Sequence, residues 1–354
     1  MVGAEQRKAI QKQVERLIAI YGAVEPYDVL IPYVDATNDI ISKFLDSFGV
    51  EYDAIIAAYH AKDISAELRK IGNTKAFWYN PLQTDIATDL LSYVREPSRE
   101  RTLAIMSKYL WWISIGDKYK EFADFNFWLM SKALKAVESV NDLPFTKASV
   151  GILFITLHEI SHRLIDARDS VELLLKGTRA EHTWNETDQK TNTEFACDFF
   201  AFSLMLQSKT LLNSLSCSNQ DLAEVALLVT LQPYVFSYFV CLRDILVDKG
   251  HNVNELDDKL RELQVALNTR CKLFIYAIKV SINSQIANDI DMQALCEFCR
   301  TVTGGFIGEM GNVVNDMKAF VTEYNELPSI SLPNSMPKRA KGPVYRIWIN
   351  NKAV

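Results

Sequence analysis

Apolar residues recur three and four positions apart along most of the chain, with short polar interruptions. This spacing places apolar side chains on one face of an α-helix. Residues 74–80 are instead rich in aromatic residues, and residues 345–349 form a short apolar tail segment, so both are expected to be strands. We therefore expect a mainly α-helical protein with at most a small β-sheet. The helices are expected at residues 4–22, 35–48, 84–97, 99–137, 198–215, 219–247, 253–282, 285–300 and in a short segment ending near 324.

Proline, glycine and polar residues mark the expected breaks between these helices. Pro26 and Pro32 are expected to bracket a short interruption, and Gly304-Gly305 to form a turn. Residues 169–190 are polar and are expected to form a long loop, the kind of segment in which substrate selection often resides.

The strongest chemical signal is His158-Glu159-Ile160-Ser161-His162, which ends an uncharged, mostly apolar run from residue 148. Residues four apart share a helix face, so the two imidazoles can point at one divalent cation. Glu159 lies one position round the helix, within reach of a water molecule on that cation. The pattern predicts two metal ligands and a general base. The alternative is a pair of core histidines that only form hydrogen bonds.

A catalytic zinc ion normally has a third protein ligand. Residues 193–202 supply the best candidate, since Glu194 and Asp198 lie four apart on a second helical pattern that contains small residues. Glu194 is assigned as the third ligand, and Asp198 as the group that accepts a hydrogen bond from a ligand histidine. Cys197 stays an alternative ligand one position away. Two exposed carboxylates are the alternative to both assignments.

Together these motifs resemble the gluzincin metallopeptidases, and within them the Lit family of phage-exclusion peptidases, whose motif also reads H-E-I-S-H. The resemblance covers about residues 145–262. It implies a zincin-like helical fold, one zinc ion per chain, and hydrolysis of peptide bonds in a specific intracellular protein, in phage defence or a toxin-like role. Zincins usually place an edge strand beside the metal-binding helix, and residues 74–80 are the candidate for it.

Two positions depart from the pattern of these peptidases. Arg163 follows the second histidine, where zinc-protease helices usually carry an uncharged residue. A later segment often carries His-Pro followed by Arg; here it is matched by His251, Asn252 and Arg261, with the proline missing. The resemblance implies a catalytic role for His251.

In the expected reaction, zinc held by His158, His162 and Glu194 lowers the pKa of its bound water to about 7. Glu159 accepts a proton from this water and passes it to the leaving amine. Manganese and iron stay open as alternatives, because the same ligand types bind several divalent metals. A further donor is expected to stabilise the oxyanion. The candidates for this donor are Tyr234, Tyr238, His182 and His251.

Composition sets wider limits. The chain has 354 residues, 49% of them apolar and 23% charged, and a net charge of −6, which gives no basis for nucleic-acid or anionic-membrane binding. The N-terminus lacks the apolar core of a signal peptide, and six cysteines lie in apolar surroundings, so we expect a cytoplasmic protein with free thiols. Cys296 and Cys299 form a lone C-x-x-C, expected to be two buried thiols on a helix.

Residues 222–242 are almost entirely apolar and long enough to span a bilayer. They contain Glu224, Gln232 and Pro233, so we expect a buried helix behind the site and no stable membrane insertion. A membrane-embedded peptidase is the less favoured alternative.

We expect four regions along the chain. They are a helical N-terminal region of unknown role (1–144), a zincin-like catalytic core (145–265), C-terminal helices packed on the core (266–327) and a tail (328–354). The expected partner is a protein or peptide substrate. The alternative function is a catalytically inactive protein of the same fold that binds or regulates a partner.

Overall fold

The computed structural model describes residues 26–59, 66–80, 82–113, 145–163, 167–208, 217–247, 254–283, 289–312 and 344–349. In these residues the protein is mainly α-helical with one small sheet, which confirms the expected mainly helical composition. The helix expected at 4–22 and residues 114–137 of the helix expected at 99–137 lie outside the described residues.

The elements of the first half are α1 (Pro26–Ser47), β1 (Ala54–Tyr59), β2 (Ala66–Ile71), β3 (Thr74–Tyr79), α2 (Leu82–Arg95) and α3 (Arg99–Ile113). Those of the second half are α4 (Phe145–Ser161), α5 (Ala167–Leu175), α6 (Ala180–Glu186), α7 (Gln189–Gln207), α8 (Asn219–Val247), α9 (Asn254–Asn283), α10 (Met292–Arg300), a π-helix (Thr301–Phe306) and β4 (Val344–Ile349).

The four strands are arranged in the order β2-β3-β1-β4. β1 pairs in parallel with β3 and antiparallel with β4, while β2 and β3 form an antiparallel hairpin. Both strands expected from the sequence, at residues 74–80 and 345–349, are confirmed. The edge position expected for residues 74–80 is wrong, because β3 is bonded on both sides and its hairpin partner β2 takes the end of the described sheet.

One face of the sheet packs on the helical core. Ile55 of β1 and Phe77 of β3 belong to this core, whereas Ile56 and Ala76, their neighbours in the chain, join a small cluster on the opposite face. This division follows from the two-residue repeat of a strand. Helix α1 contacts β1, and helix α4 contacts β2, which brings the H-E-x-x-H helix beside the end strand.

Helix α4 occupies the centre of the molecule and contacts α1, α2, α7 and α8. All of residues 150–157 are buried. A helix surrounded on every side needs an apolar surface on every side, which explains the long uncharged run before the motif.

Several expected breaks are helical instead. Helix α1 begins at Pro26 and continues through Pro32. A proline at the first helical position loses nothing by lacking an amide hydrogen, so Pro26 starts the helix instead of preceding it. The turn expected at Gly304-Gly305 is part of the π-helix. A Cβ atom on Gly305 would lie 2.9 Å from the hydroxyl of Tyr93, so this glycine permits close packing and does not mark a turn.

The long loop expected at residues 169–190 is also wrong. This segment forms most of α5, all of α6 and the first residues of α7. Val171 and Leu175 are buried on α5, and Ala180 and Trp184 are buried on α6. Each pair is spaced four apart, so each short helix presents an apolar face that packs into the main core, and this packing stabilises helices in a largely polar stretch.

Helix α8 coincides with the helix expected at 219–247. By length and composition its residues Asn219–Leu242 could cross a membrane, but most of this stretch is buried inside the protein, and core helices share these properties. One continuous core extends from Ile41 to Met310, across the boundaries expected at residues 145 and 266. The four-region division of the chain stays a prediction.

Candidate metal site

The end of α4 and the start of α7 bring three ligand-type atoms together. Nε2 of His158 lies 3.1 Å from Nε2 of His162 and 3.3 Å from Oε2 of Glu194. The third side of this triangle, from His162 Nε2 to Glu194 Oε2, measures 3.8 Å. Two atoms that each lie about 2.1 Å from one tetrahedral ion are about 3.4 Å apart. The triangle therefore has the size that a single metal ion requires.

Local backbone structure explains this convergence. The amide of His162 donates to the carbonyl of His158 at 3.2 Å, which extends the last turn of α4 to the second histidine. At the other element, the side chain of Asp188 accepts a hydrogen bond from the amide of Thr191 at 3.0 Å and caps the start of α7. Glu194 follows in the second turn of α7 and faces the two imidazoles.

Two carboxylates are near enough to be ligands. Besides Glu194, Glu159 has an oxygen within 4.8 Å of a ring nitrogen of both His158 and His162. Burial raises the pKa of Glu159 to about 7, despite the opposing charge of His158. Burial also acts against ionised Glu194, but its hydrogen bond to His158 and the charge of that residue lower its pKa to about 2. Glu194 thus has the properties of a ligand, and Glu159 those of a group that exchanges a proton near neutral pH.

The ring of His158 is held, on the side away from the other ligand atoms, by the buried ion pair of Asp198 and Arg270. Its Nδ1 donates to Oδ1 of Asp198 at 2.8 Å, which leaves Nε2 directed at the other ligand atoms. Oδ2 of Asp198 accepts from Nε and Nη2 of Arg270 at 2.7 and 2.6 Å, and both residues are buried. Burial opposes a charge on His158, but hydrogen bonds to Asp198 and Glu194 raise its pKa to about 10. A metal ion at Nε2 therefore has to displace a proton at neutral pH.

His162 has a weaker support. Sγ of Cys197 lies 3.3 Å from its Nδ1, the ring nitrogen that does not face the other ligand atoms. Burial, together with the charges of Asp198 and Glu194, raises the pKa of Cys197 to about 12, so the thiol is neutral. Burial and the charge of His158 lower the pKa of His162, which favours its neutral imidazole. This position of the sulfur indicates that Cys197 orients the ring.

The three ligand-type atoms face a cavity of about 600 Å³, within the range of small-molecule and peptide sites. Apolar residues of α4 and α8 form one wall. They are Phe154, Ile155, Val229, Pro233 and Phe236. Lys190 and Glu194 line the cavity from α7, and Ala66 lines it from β2.

The structure distinguishes the candidates for the oxyanion donor. Tyr234 lines the cavity, and its hydroxyl oxygen accepts a hydrogen bond from Arg270 at 3.4 Å. Tyr238 is buried and donates to the carbonyl of Met310 at 3.0 Å. His182 is exposed on α6, 3.2 Å from the carboxylate of Glu186. His251 lies outside the described residues. Of these four, Tyr234 is the candidate that the described part of the chain places at the cavity.

Two contributors to the site were missed from the sequence. Arg270 belongs to a buried stripe of α9 that includes Leu267 and Phe274, and an arginine at helical spacing among such residues is a signal for a buried ion pair. The second is the contact of Arg163 with β2, where its guanidinium donates to the carbonyl of Leu68 at 2.9 Å. The strand beside the motif is thus β2, which the sequence reading did not identify.

Comparison with known proteins adds no relative. No protein-family model, curated protein or solved structure matches this chain. A functional conclusion therefore depends on the arrangement of the side chains around His158, His162 and Glu194.

Proposed function

We propose that this protein is a zinc-dependent endopeptidase of the gluzincin type, with a zincin-like fold. The triangle formed by His158, His162 and Glu194, with Glu159 beside it, is the observation that carries the proposal. Two imidazoles and one carboxylate are a common ligand set of hydrolytic zinc sites. The same donors also bind manganese or iron, so the choice of zinc is part of the proposal.

When bound, zinc polarises the scissile carbonyl and lowers the pKa of a water molecule to about 7. Glu159 lies beside the three ligand-type atoms, where it would accept a proton from the attacking water and pass it to the leaving amine. The hydroxyl of Tyr234 donates to the carbonyl oxygen as negative charge develops there. Because Arg270 donates to the oxygen of Tyr234, the hydroxyl hydrogen is left to point at the substrate.

A polypeptide substrate is supported by the position of β2. This strand lies at the end of the described sheet, and its Ala66 lines the cavity. An extended peptide can add to a strand edge through main-chain hydrogen bonds and place side chains in adjoining pockets. The apolar wall formed by α4 and α8 suits an apolar side chain next to the cleaved bond.

The biological role comes from the resemblance to the Lit family. On that basis we propose cleavage of one specific intracellular protein, in phage defence or a toxin-like role. The catalytic role of His251 stays a prediction of the same resemblance, since this residue lies outside the described part of the chain.

Metal content is the first test, measured by elemental analysis of the wild-type protein and the Glu194→Ala variant. We expect about one zinc ion per chain in the wild type and much less in the variant. Metal in neither protein, even after reconstitution with zinc, would reject the ligand assignment.

Activity is the second test, measured by mass spectrometry of a proteome-derived peptide library after incubation with zinc-loaded protein. The Glu159→Gln variant is expected to keep the metal and lose cleavage, because glutamine cannot accept the proton. Loss of zinc together with unfolding in this variant would indicate a structural role instead. A wild-type protein that holds zinc and cleaves nothing would favour the alternative of an inactive binding protein.

A further inference from the structure

Arg163 connects the metal-binding turn to the end strand of the sheet. Nη2 of its guanidinium donates a hydrogen bond of 2.9 Å to the carbonyl of Leu68 in β2. These residues lie 95 positions apart in the chain. The amide of Arg163 donates to the carbonyl of Ile160 at 2.9 Å, which holds this residue to the same turn as His162. The contact therefore links a metal-ligand segment directly to a strand.

The strand that Arg163 contacts also borders the site. Ala66 lines the cavity, and Glu67 follows it in the chain. The raised pKa of Glu159 is due mainly to burial, but the charge of Glu67 contributes to it as well, which shows that β2 passes near the proposed general base. In the described sheet β2 is bonded to β3 alone, so the bond from Arg163 supplies a second anchor.

We propose that Arg163 is a positioning residue, which fixes the edge of β2 relative to the metal ligands so that a peptide paired with β2 presents its scissile bond to them. This inference rests on the proposed peptidase function. A guanidinium suits the task because its donors are fixed in one plane and it stays charged. An uncharged side chain at this position could not make a charge-assisted bond to β2.

Loss of this bond should affect extended ligands and spare the metal. The ligands keep their own supports, since His158 rests on Asp198 and His162 contacts Cys197. A strand displaced by about 1 Å is enough to misplace a reacting group and to cost up to about 100-fold in rate. The expected signature is therefore a defect that grows with the length of the ligand along β2.

Two inhibitors separate the metal from the strand. Acetohydroxamate reaches only the metal ion, whereas the hydroxamate of an acylated tripeptide of alanine, glycine and leucine also extends along a strand edge. Calorimetric titration of the full-length, zinc-loaded protein would give the Kd of each. The Arg163→Ala variant should bind the tripeptide hydroxamate about tenfold or more weakly, with unchanged zinc content and acetohydroxamate affinity.

Matched variants complete the test. Arg163→Lys keeps the charge and should restore part of the affinity, and Arg163→Gln keeps a neutral donor if the alanine variant does not fold. Arg300→Ala, which removes an exposed arginine paired with Glu297 on α10, should change neither Kd.

Several outcomes would overturn the role of Arg163. They are an unchanged Kd for the tripeptide hydroxamate in all Arg163 variants, an equal loss for both inhibitors, or loss of zinc. Binding of acetohydroxamate but not of the tripeptide hydroxamate by the wild type would leave the metal site intact and remove β2 as the peptide-binding edge. A wild type that binds neither zinc nor acetohydroxamate would reject the proposed function itself, and the role of Arg163 with it.

Discussion

The inner and outer halves of the candidate metal site are built differently. The side chain of His158 is 12% exposed and rests on the buried pair of Asp198 and Arg270. The side chain of His162 is 31% exposed, contacts a neutral thiol and precedes Arg163, which bonds to β2. Opposite charges inside the core hold the first histidine, whereas single hydrogen bonds near the surface hold the second. We infer that the inner half sets stability and metal affinity, while the outer half sets how substrate meets the metal.

The largest effect is expected from Arg270→Met, which replaces the buried guanidinium by an apolar side chain of similar length and leaves Asp198 without its arginine partner. Breaking a buried pair in this way costs about 3–5 kcal/mol of unfolding free energy. Chemical denaturation of metal-free protein would measure it, with Lys272→Met, an exposed position on the same helix, as the control. A loss below about 1 kcal/mol would contradict the importance assigned to the inner half.

Next in size is Asp198→Asn, which keeps the shape of the side chain but removes the carboxylate behind His158. Loss of such a partner weakens metal binding by about 10–100-fold. Competition with a chromogenic chelator would measure the zinc affinity of folded protein. Asp188→Asn is the control, because asparagine still caps α7 and this position does not contact a ligand. Equal zinc affinities for the Asp198→Asn and Asp188→Asn variants would show that Asp198 does not strengthen zinc binding.

The pH dependence of zinc binding also tests the inner half, because zinc has to displace the proton on His158. In metal-free protein the pKa of His158 is raised to about 10, and that of Glu194 is lowered to about 2. Between pH 7 and 8.5 the metal therefore displaces the proton of His158, while Glu194 is already ionised. Zinc affinity should rise about tenfold per pH unit in this range, after correction for the chelator. Asp198→Asn should flatten this slope, and a slope of zero in the wild type would contradict the proton assignment.

The smallest effect is expected in the outer half, from Cys197→Ala. A weak hydrogen bond to a neutral thiol is lost, so zinc affinity should fall about twofold to tenfold. Cys296→Ala, at a partly exposed thiol of α10, is the control. A loss above about 100-fold would mean that Cys197 is itself a ligand, which would reverse the order of the two halves.

The sequence predicts the site well where two of its groups share one helical segment. His158 and His162 lie four apart on α4, and Glu194 and Asp198 lie four apart on α7, so each pair can be recognised from spacing alone. Arg270 lies 72 residues after Asp198, and no local pattern connects the two. Long-range pairing is decided by how helices pack, which spacing within one helix does not specify.

The outer site is less accessible to sequence reasoning. Aromatic residues identify 74–80 as a strand, whereas β2 has no aromatic residue and is half charged, with Arg69 and Lys70 adjacent. The missed signal is Gly72-Asn73, a two-residue hairpin turn in which Gly72 adopts a φ of 61°. A hairpin at this point leaves one of its two strands at the end of the sheet. Because β3 pairs with β1, that strand is β2, and the sequence alone does not specify this pairing.

The separation of Asp198 and Arg270 also sets an order of events during biosynthesis. At about 5–20 residues per second, the ribosome adds Arg270 roughly 4–15 s after Asp198. Until then the arginine that forms the buried ion pair with Asp198 is missing, so this pair cannot yet close behind His158. Both histidines and Glu194 have already been synthesised at that stage. The three candidate ligands are therefore complete for several seconds before the buried ion pair can close behind them.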